Sequence, residues 1–275
     1  MNPGRDFFTR QIKLRNVNNR RNFTKHFCVA RKFRNFPLDS KGGTFNMNTT
    51  IISVALGFAN AYLVQSEAGV VLVDTGIPES MKPLDTALAE NGLAYTDIKL
   101  IVITHGHADH TGQAAELAER CGAPVLMQEA DAGWLIDGKG APANPVTTGA
   151  KMMMGLLKRV EAKFKVTPLE PQILPNGGTL SLQDYGIDGV VMHTPGHTPG
   201  SLSLVLDDGR AMVGDMAMNN IPVLRWGAGL PSIAADMEQV KASWRNLLKA
   251  GVKEVYPGHG KPFGAAVIAK QLTGN

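Results

Sequence analysis

The chain has 275 residues, of which 44% are hydrophobic and 19% charged, a composition typical of globular proteins rather than disordered, collagen-like or coiled-coil ones. Its two cysteines, Cys28 and Cys121, exclude a disulfide framework and a cysteine-rich zinc module. No apolar run approaches the roughly 20 residues of a membrane-spanning helix, so we expect no membrane partner.

The net charge of +4 conceals two unlike parts of the chain. Residues 1–46 contain 11 basic and 2 acidic side chains, whereas residues 47–275 carry a net charge of −5. This contrast predicts a basic, disordered extension over residues 1–46 and a single folded domain over residues 47–275. Two alternatives for the extension are a transit peptide and an arm that contacts nucleic acid or an acidic membrane surface.

From residue 50 the sequence alternates short apolar runs with helical spacing. Runs of β-branched and aliphatic residues between turn signals predict strands at 51–56, 61–65, 70–74, 100–104 and 124–127. The spacing of apolar residues predicts helices at 79–91, 109–120, 131–137 and 150–164. This alternation favours a sheet covered by helices.

Strand signals dominate the second half of the chain. They predict strands at 178–182, 189–193, 201–206, 210–213 and 254–256. A long amphipathic pattern predicts a helix at 232–250, and a short helix is expected at the carboxyl terminus.

Histidine is scarce, yet three of the seven histidines lie within six positions. His105, His107, Asp109 and His110 follow the predicted strand 100–104. His105 and His107 point to the same side of an extended chain, and the start of the next helix turns the other two residues back toward that side. Imidazole nitrogens and carboxylate oxygens bind Zn²⁺, and also Fe or Mn. The segment therefore predicts a metal site.

Three further residues of ligand type, His197, Asp215 and His259, each lie just beyond a predicted strand next to Gly or Pro. Loops at strand ends are where rigid scaffolds commonly place functional side chains, so we expect these residues to complete the site. His193 is interpreted as a structural histidine, because lone histidines are more often structural.

These segments together resemble the metallo-β-lactamase superfamily, whose pattern is His-x-His-x-Asp-His followed by a distant His, Asp and His. The resemblance spans nearly all of residues 50–275 and includes Asp74, which follows an early strand. It implies an α/β fold: a four-layer αβ/βα sandwich of two mixed β-sheets with outer helices. The metal site would lie at one edge, between the sheets.

The resemblance also implies a role for each ligand in holding two divalent metal ions, most simply Zn²⁺, with Fe or Mn as alternatives. The ligands of the first ion would be His105, His107 and His197. The ligands of the second ion would be Asp109, His110 and His259. Asp215 would bridge the two ions, and Asp74 would orient the ligands from behind them.

The implied activity is that of a dinuclear metal-dependent hydrolase, in which a metal-bridging hydroxide attacks an ester, lactone or thioester carbonyl. Asp109 would be the catalytic residue that aims the hydroxide and carries its proton. Asp215 resembles the bridging Asp of the glyoxalase II, lactonase and ribonuclease Z branches, which leaves β-lactam hydrolysis only as a side activity. The alternatives are a phosphodiesterase or RNA-processing nuclease of the same fold, a single-iron persulfide enzyme and a non-catalytic binding module.

Four apolar side chains are expected to line a substrate pocket above the metals, where they would suit acyl or aromatic ester substrates. They are Trp134, Met154, Met216 and Trp226. Packing in the core or at a homodimer contact is the alternative use of these side chains. We expect a small-molecule substrate rather than nucleic acid as the partner, because residues 47–275 are acidic. We expect a cytoplasmic location, because no basic segment of a secretory signal follows Met47.

Overall fold

The computed structural model describes residues 49–161, 164–174, 176–221 and 225–274. The expected extension over residues 1–46 lies outside these ranges. Within them, no helix combines the length and the apolar character needed to cross a membrane.

A six-stranded sheet forms the first half of the described chain. Its strands are β1 (Thr50–Leu56), β2 (Ala59–Ser66), β3 (Gly69–Val73), β4 (Ile98–Val102), β5 (Val125–Gln128) and β6 (Gln172–Leu174), in that spatial order. Strands β1 to β3 pair antiparallel, and β3 to β6 pair parallel. The accompanying helices are α1 (Lys82–Glu90), α2 (Ala108–Thr111), α3 (Ala114–Cys121), α4 (Glu129–Ile136) and α5 (Thr148–Glu161).

A second mixed sheet follows. Its strands are β7 (Thr179–Ser181), β8 (Gly189–His193), β9 (Leu202–Leu206), β10 (Arg210–Ile221), β11 (Arg225–Gly229), β12 (Glu254–His259) and β13 (Phe263–Gly264). The spatial order is β13-β12-β10-β9-β8-β7, and β11 pairs with β10. The helices of this half are α6 (Met237–Lys249) and α7 (Ala266–Thr273).

The inner strands of the first sheet, β2 to β5, are largely buried on both faces, which explains why they appear in the sequence as continuous apolar runs. Leu72 and Ile101 pack toward α1, α3 and α4, whereas Val71, Val73 and Leu100 pack against the second sheet. The outer face of the second sheet packs on α6 and α7 through a further core cluster centred on Trp244. The layers are therefore helix, sheet, sheet and helix, which confirms the expected αβ/βα sandwich.

Some predicted elements differ from those observed. The helix predicted at 109–120 is divided into α2 and α3 at Gln113, whose backbone leaves the helical region with a φ of −114° and a ψ of 12°. The strand predicted at 210–213 continues to Ile221 as β10, since its pairing with β12 resumes beyond Gly214 after register shifts. The short strands β6, β11 and β13 were not predicted, and each makes few pairs.

Helix α6 begins at Met237, five residues later than predicted, because Asp236 caps it. The Oδ1 atom of Asp236 accepts hydrogen bonds from the backbone N–H groups of Glu238 (2.9 Å) and Gln239 (3.0 Å). Asp236→Ala is therefore expected to lower the free energy of unfolding by about 1 kcal/mol. Denaturant titration measures this change. Asp184→Ala, at an exposed aspartate, is the control, and equal midpoints for the two variants would contradict the prediction.

Candidate metal centre

The seven predicted ligands come from both sheets and meet between them. The segment from His105 to His110 follows β4 of the first sheet and opens α2. In the second sheet, His197 lies in the turn between β8 and β9, Asp215 lies inside β10 and His259 ends β12. Their ligand atoms form two compact groups, so the structure brings together residues that are up to 154 positions apart in the chain.

The first cluster comprises His105, His107, His197 and Asp215, all buried. The Nδ1 atom of His107 faces the Nε2 atom of His105 at 3.0 Å and the Nε2 atom of His197 at 3.1 Å. The Oδ2 atom of Asp215 lies 3.7 Å from the same Nε2 atom of His197. Three imidazole nitrogens and one carboxylate oxygen therefore point into one small volume.

The second cluster comprises Asp109, His110 and His259. The Oδ2 atom of Asp109 lies 3.3 Å from Nε2 of His259 and 3.7 Å from Nε2 of His110. Asp215 reaches this cluster as well, because its Oδ2 atom is 3.3 Å from Nε2 of His259 and its Oδ1 atom is 3.6 Å from Nε2 of His110. The carboxylate of Asp215 thus lies within 3.7 Å of nitrogens from both clusters.

The donor atoms fit metal ions. Zn–N distances of about 2.0–2.1 Å in a tetrahedral site place neighbouring nitrogens about 3.4 Å apart, close to the separations of the first cluster. Among the described residues, the buried atoms Nε2 of His110 and Oδ1 of Asp215 have no hydrogen-bond partner. Buried polar atoms normally have one, so these atoms mark a place where a ligand belongs. The set contains no thiolate, which suits Zn²⁺, Fe or Mn.

Hydrogen bonds behind the histidines hold their ring orientation. The Nδ1–H groups of His197 and His259 donate to the backbone carbonyls of Ile233 (2.7 Å) and Phe58 (2.8 Å). His105 donates from Nδ1 to the hydroxyl of Thr104 at 3.0 Å. With each Nδ1 engaged behind the ring, the Nε2 atom of each ring faces its cluster and is the atom that can bind a metal.

Asp74 contacts a ligand candidate of the second cluster and the residue next to His105 of the first. Its Oδ1 atom accepts from the backbone N–H of Thr104 (2.8 Å), and its Oδ2 atom accepts from the hydroxyl of Thr104 (2.8 Å) and from Nδ1 of His110 (2.8 Å). The residue adopts a left-handed φ of 62°, which is uncommon for a side chain other than glycine. One buried carboxylate therefore orients His110 directly and His105 through Thr104.

The two clusters differ in their protonation. Burial lowers the pKa of His105 and of His107, and lowers the pKa of His197 to about 4, so these rings are neutral at pH 7. Burial also favours neutral His110, but the carboxylates of Asp74, Asp109 and Asp215 outweigh it and raise the pKa of His110 to about 9. Burial alone would raise the pKa values of the Asp109 and Asp215 carboxyls. The nearby His110 and His259 outweigh burial and hold both pKa values well below their usual range.

Metal loading at pH 7 is expected to release protons. His110 is protonated at this pH in the metal-free protein, because its pKa is about 9, and its Nε2 atom accepts a metal only after that proton leaves. Raising the pH from 6 to 9 should therefore strengthen binding at the second cluster more than at the first. Calorimetric titration in two buffers of different ionisation enthalpy counts the protons released. Equal heats in both buffers would contradict this prediction.

The four residues predicted to line the substrate pocket differ in their burial and in their distance from the metal-ligand segments. Trp134 is half-buried on α4, and its ring lies next to Gly106, where a Cβ would be 3.2 Å away. Trp226 is 87% exposed on β11. Met154 lies on α5, and its side chain is outside the described part of the structure. The prediction that Met216 lines the pocket is wrong, because its side chain is fully buried in the core cluster around Trp244. Met216 packs with Val240 and Trp244 of α6, so it does not line the metal centre.

Phe58 was missed at the sequence level. It lies in the turn between β1 and β2, is 54% exposed, and its ring stacks on that of His259 with centroids 6.1 Å apart. The ring of Phe164 packs against that of Phe58 at a tilt of 32°, with centroids 6.1 Å apart. The signal in the sequence was an aromatic residue at a hairpin turn, a position where polar residues are usual.

A family model described as the metallo-β-lactamase superfamily matches residues 54–259, and the chain belongs to this superfamily of metal-dependent hydrolases. The "Probable metallo-hydrolase YflN" of Bacillus subtilis strain 168 is 28% identical over 186 residues, which cover 64% of this chain and 68% of that protein.

Two solved structures extend the comparison. The metallo-β-lactamase family protein TTHA1429 from Thermus thermophilus has a TM-score of 0.60 and 24% identity, covering 82% of this chain and 78% of that chain. The protein TTHA1623, solved in a di-iron-bound form, has a TM-score of 0.54 and 26% identity, covering 80% of this chain and 97% of that one. These relatives confirm the predicted family, fold and enzyme class.

Proposed function

We propose that this protein is a dinuclear metal-dependent hydrolase of ester, lactone or thioester carbonyls. The observation that carries the proposal is the position of Asp215, whose carboxylate lies within 3.7 Å of nitrogens from both clusters. Two divalent cations held by these residues would lower the pKa of a bound water molecule and would polarise the substrate oxygen.

The protein side chains would orient the attacking water and hold the metal ligands in place. Asp109 has the most accessible carboxylate of the site, with 16% of its side chain exposed, whereas the side chain of Asp215 is only 5% exposed. Because Asp109 is ionised and is the more exposed of the two carboxylates, it would accept a hydrogen bond from the attacking water and orient it. The hydrogen bonds behind His105, His110, His197 and His259 keep the rings from rotating, so little reorganisation is needed during the reaction.

The surroundings of the second cluster favour a substrate with an apolar group. Phe58 stacks on His259, and Phe164 packs against Phe58. An aromatic surface next to a few fixed polar groups is typical of small-molecule sites. The net charge of −5 over residues 47–275 opposes binding of a polyanion, so we propose a small molecule rather than nucleic acid as the substrate.

Zinc is the metal that we propose, because three imidazoles and a carboxylate are donors that Zn²⁺ accepts in four-coordinate sites. Iron and manganese accept the same donors. The di-iron form of TTHA1623 makes iron the first alternative to test. We further propose a cytoplasmic location, supported by the apolar segment 51–61, which forms part of β1 and β2 instead of a secretory signal.

The test combines metal analysis with a substrate panel. The full chain is loaded separately with Zn²⁺, Fe²⁺ and Mn²⁺, and metal per chain is measured by mass spectrometry. Each form is then assayed on a lactone, a thioester, an aryl ester, a bis-aryl phosphate and a chromogenic cephalosporin. Two metal equivalents with turnover of carbonyl esters support the proposal. A single equivalent, or turnover of the phosphodiester alone, overturns it.

A further inference from the structure

Asp131 is a buried carboxylate that neither cluster contains. It lies in the first turn of α4 and is only 1% exposed. Gln128, the residue that caps this helix, already accepts the hydrogen bond from the backbone N–H of Ala130 at 2.6 Å. Asp131 is therefore not needed as the helix cap, and its side chain points to the loops beside it.

The carboxylate of Asp131 accepts three hydrogen bonds from two separate loops. Its Oδ2 atom accepts from the backbone N–H of Gly106 (2.8 Å) and from the hydroxyl of Thr198 (2.7 Å), and its Oδ1 atom accepts from the backbone N–H of Gly200 (2.9 Å). Gly106 lies between two ligands of the first cluster, and Thr198 directly follows the third. One side chain thus joins the two loops that supply its three histidines.

The local sequence permits this close approach. A Cβ on Gly200 would lie 2.6 Å from the Cβ and carboxylate atoms of Asp131, so a larger residue would push the loop away. The hydroxyl of Thr198 is also held by Ser201, whose Oγ atom is 2.9 Å away. On the other side of Gly106, its carbonyl accepts from the N–H of Ala141 at 2.7 Å. Both polar groups of Gly106 are therefore fixed.

We propose that Asp131 is a positioning residue that sets the separation of His105 and His107 from His197, and so the affinity of the first metal site. The inference rests on the proposed metal-binding function. Mutating a residue that hydrogen-bonds to the ligands from behind typically lowers metal affinity by about 10–100-fold. Asp131 contacts the ligand loops at three points.

The chemistry requires a carboxylate at this position. Asparagine has the same shape but places an NH₂ group where one of the two oxygens stood. If the amide oxygen takes the Oδ2 position, the NH₂ group faces the N–H of Gly200; in the opposite orientation it faces the N–H of Gly106. Either way one buried backbone donor loses its partner, and one loop is released.

The fold has an independent connection between the same loops. The backbone N–H of Leu202 donates to the carbonyl of Thr104 at 2.7 Å. We therefore expect Asp131→Asn to keep its structure, while the histidines of the first cluster lose their fixed spacing.

The test compares the full-length protein, Asp131→Asn and Glu129→Gln, with Zn²⁺ as the probe. Glu129 is exposed in the same first turn of α4, so its variant controls for the loss of one negative charge there. Zinc is titrated against a chromophoric chelator. We expect affinity for the first ion to fall about 10–100-fold in Asp131→Asn and to stay unchanged in Glu129→Gln. Equal affinities in all three proteins overturn the inference. Failure of the unsubstituted protein to bind two ions overturns the proposed function instead.

Two further measurements separate positioning from general destabilisation. Amide exchange of the metal-free proteins should show faster exchange at Gly106 or Gly200 in Asp131→Asn, with the core strands unchanged. The visible spectrum of the Co²⁺-loaded protein should change shape, because the ligand geometry changes. If Asp131→Asn does not fold, Thr198→Val removes only one of the three bonds, and it should weaken the first ion by a smaller factor. An unchanged Co²⁺ spectrum and unchanged affinity in that variant would also overturn the inference.

Discussion

Replacing Asp215 with alanine is expected to remove both metal ions and reduce kcat/KM by more than about 100-fold, since loss of an outer partner alone costs about 10–100-fold. The reason is the shared position of this carboxylate, which lies 3.7 Å from Nε2 of His197 and 3.3 Å from Nε2 of His259. Removing it takes one donor from each cluster. It also leaves the mutual repulsion of two bound cations uncompensated.

Metal content per chain is the decisive measurement for Asp215→Ala, and thermal unfolding of the metal-free protein shows whether the fold survives. Asp184→Ala is a suitable control, because Asp184 is an exposed aspartate in a short helical turn outside the site. The control should keep two ions and full activity. Two tightly bound ions in Asp215→Ala would show that the clusters bind metals independently.

The candidate ligands could be picked out from the sequence because each follows or ends an apolar run, although Asp215, which follows the run 211–213, lies within the longer strand β10. The strands β3 and β4 are buried on both faces, so they stand out as continuous runs of β-branched and aliphatic residues. The residues just beyond such strands meet at one edge of the sandwich. The structure brings all seven of the proposed ligands together there.

What could not be predicted depends on contacts between distant segments. The prediction that Met216 lines the substrate pocket was wrong. Gly214 resembled the end of a strand in the sequence, and only the pairing of β10 with β12 shows that the strand continues past it. Asp131 gave no signal, since an acidic residue in the first turn of a helix is expected for reasons of helix electrostatics alone. Its three hydrogen-bond donors come from residues 25 to 69 positions away.

Asp74 offers the second large effect, and two substitutions separate its roles in folding and in metal binding. Asp74→Ala removes a buried carboxylate that accepts from Thr104 and His110, and it places alanine at a φ of 62°. The free energy of unfolding is expected to fall by about 3–5 kcal/mol, because a buried pair loses one partner. Denaturant titration of the metal-free protein checks this value.

Asp74→Asn is expected to fold but to bind only one ion. Asparagine tolerates the left-handed φ, and its amide oxygen still accepts from the N–H of Thr104. Its NH₂ group then faces Nδ1 of His110, so the ring must accept there and carry its proton on Nε2, the atom that faces the second cluster. A protonated Nε2 cannot bind a metal. Metal analysis should give one ion per chain in Asp74→Asn and two in the unsubstituted protein, and the unfolding midpoint of the metal-free variant should fall less than that of Asp74→Ala. Two ions in the variant would mean that His110 does not depend on Asp74 for its tautomer.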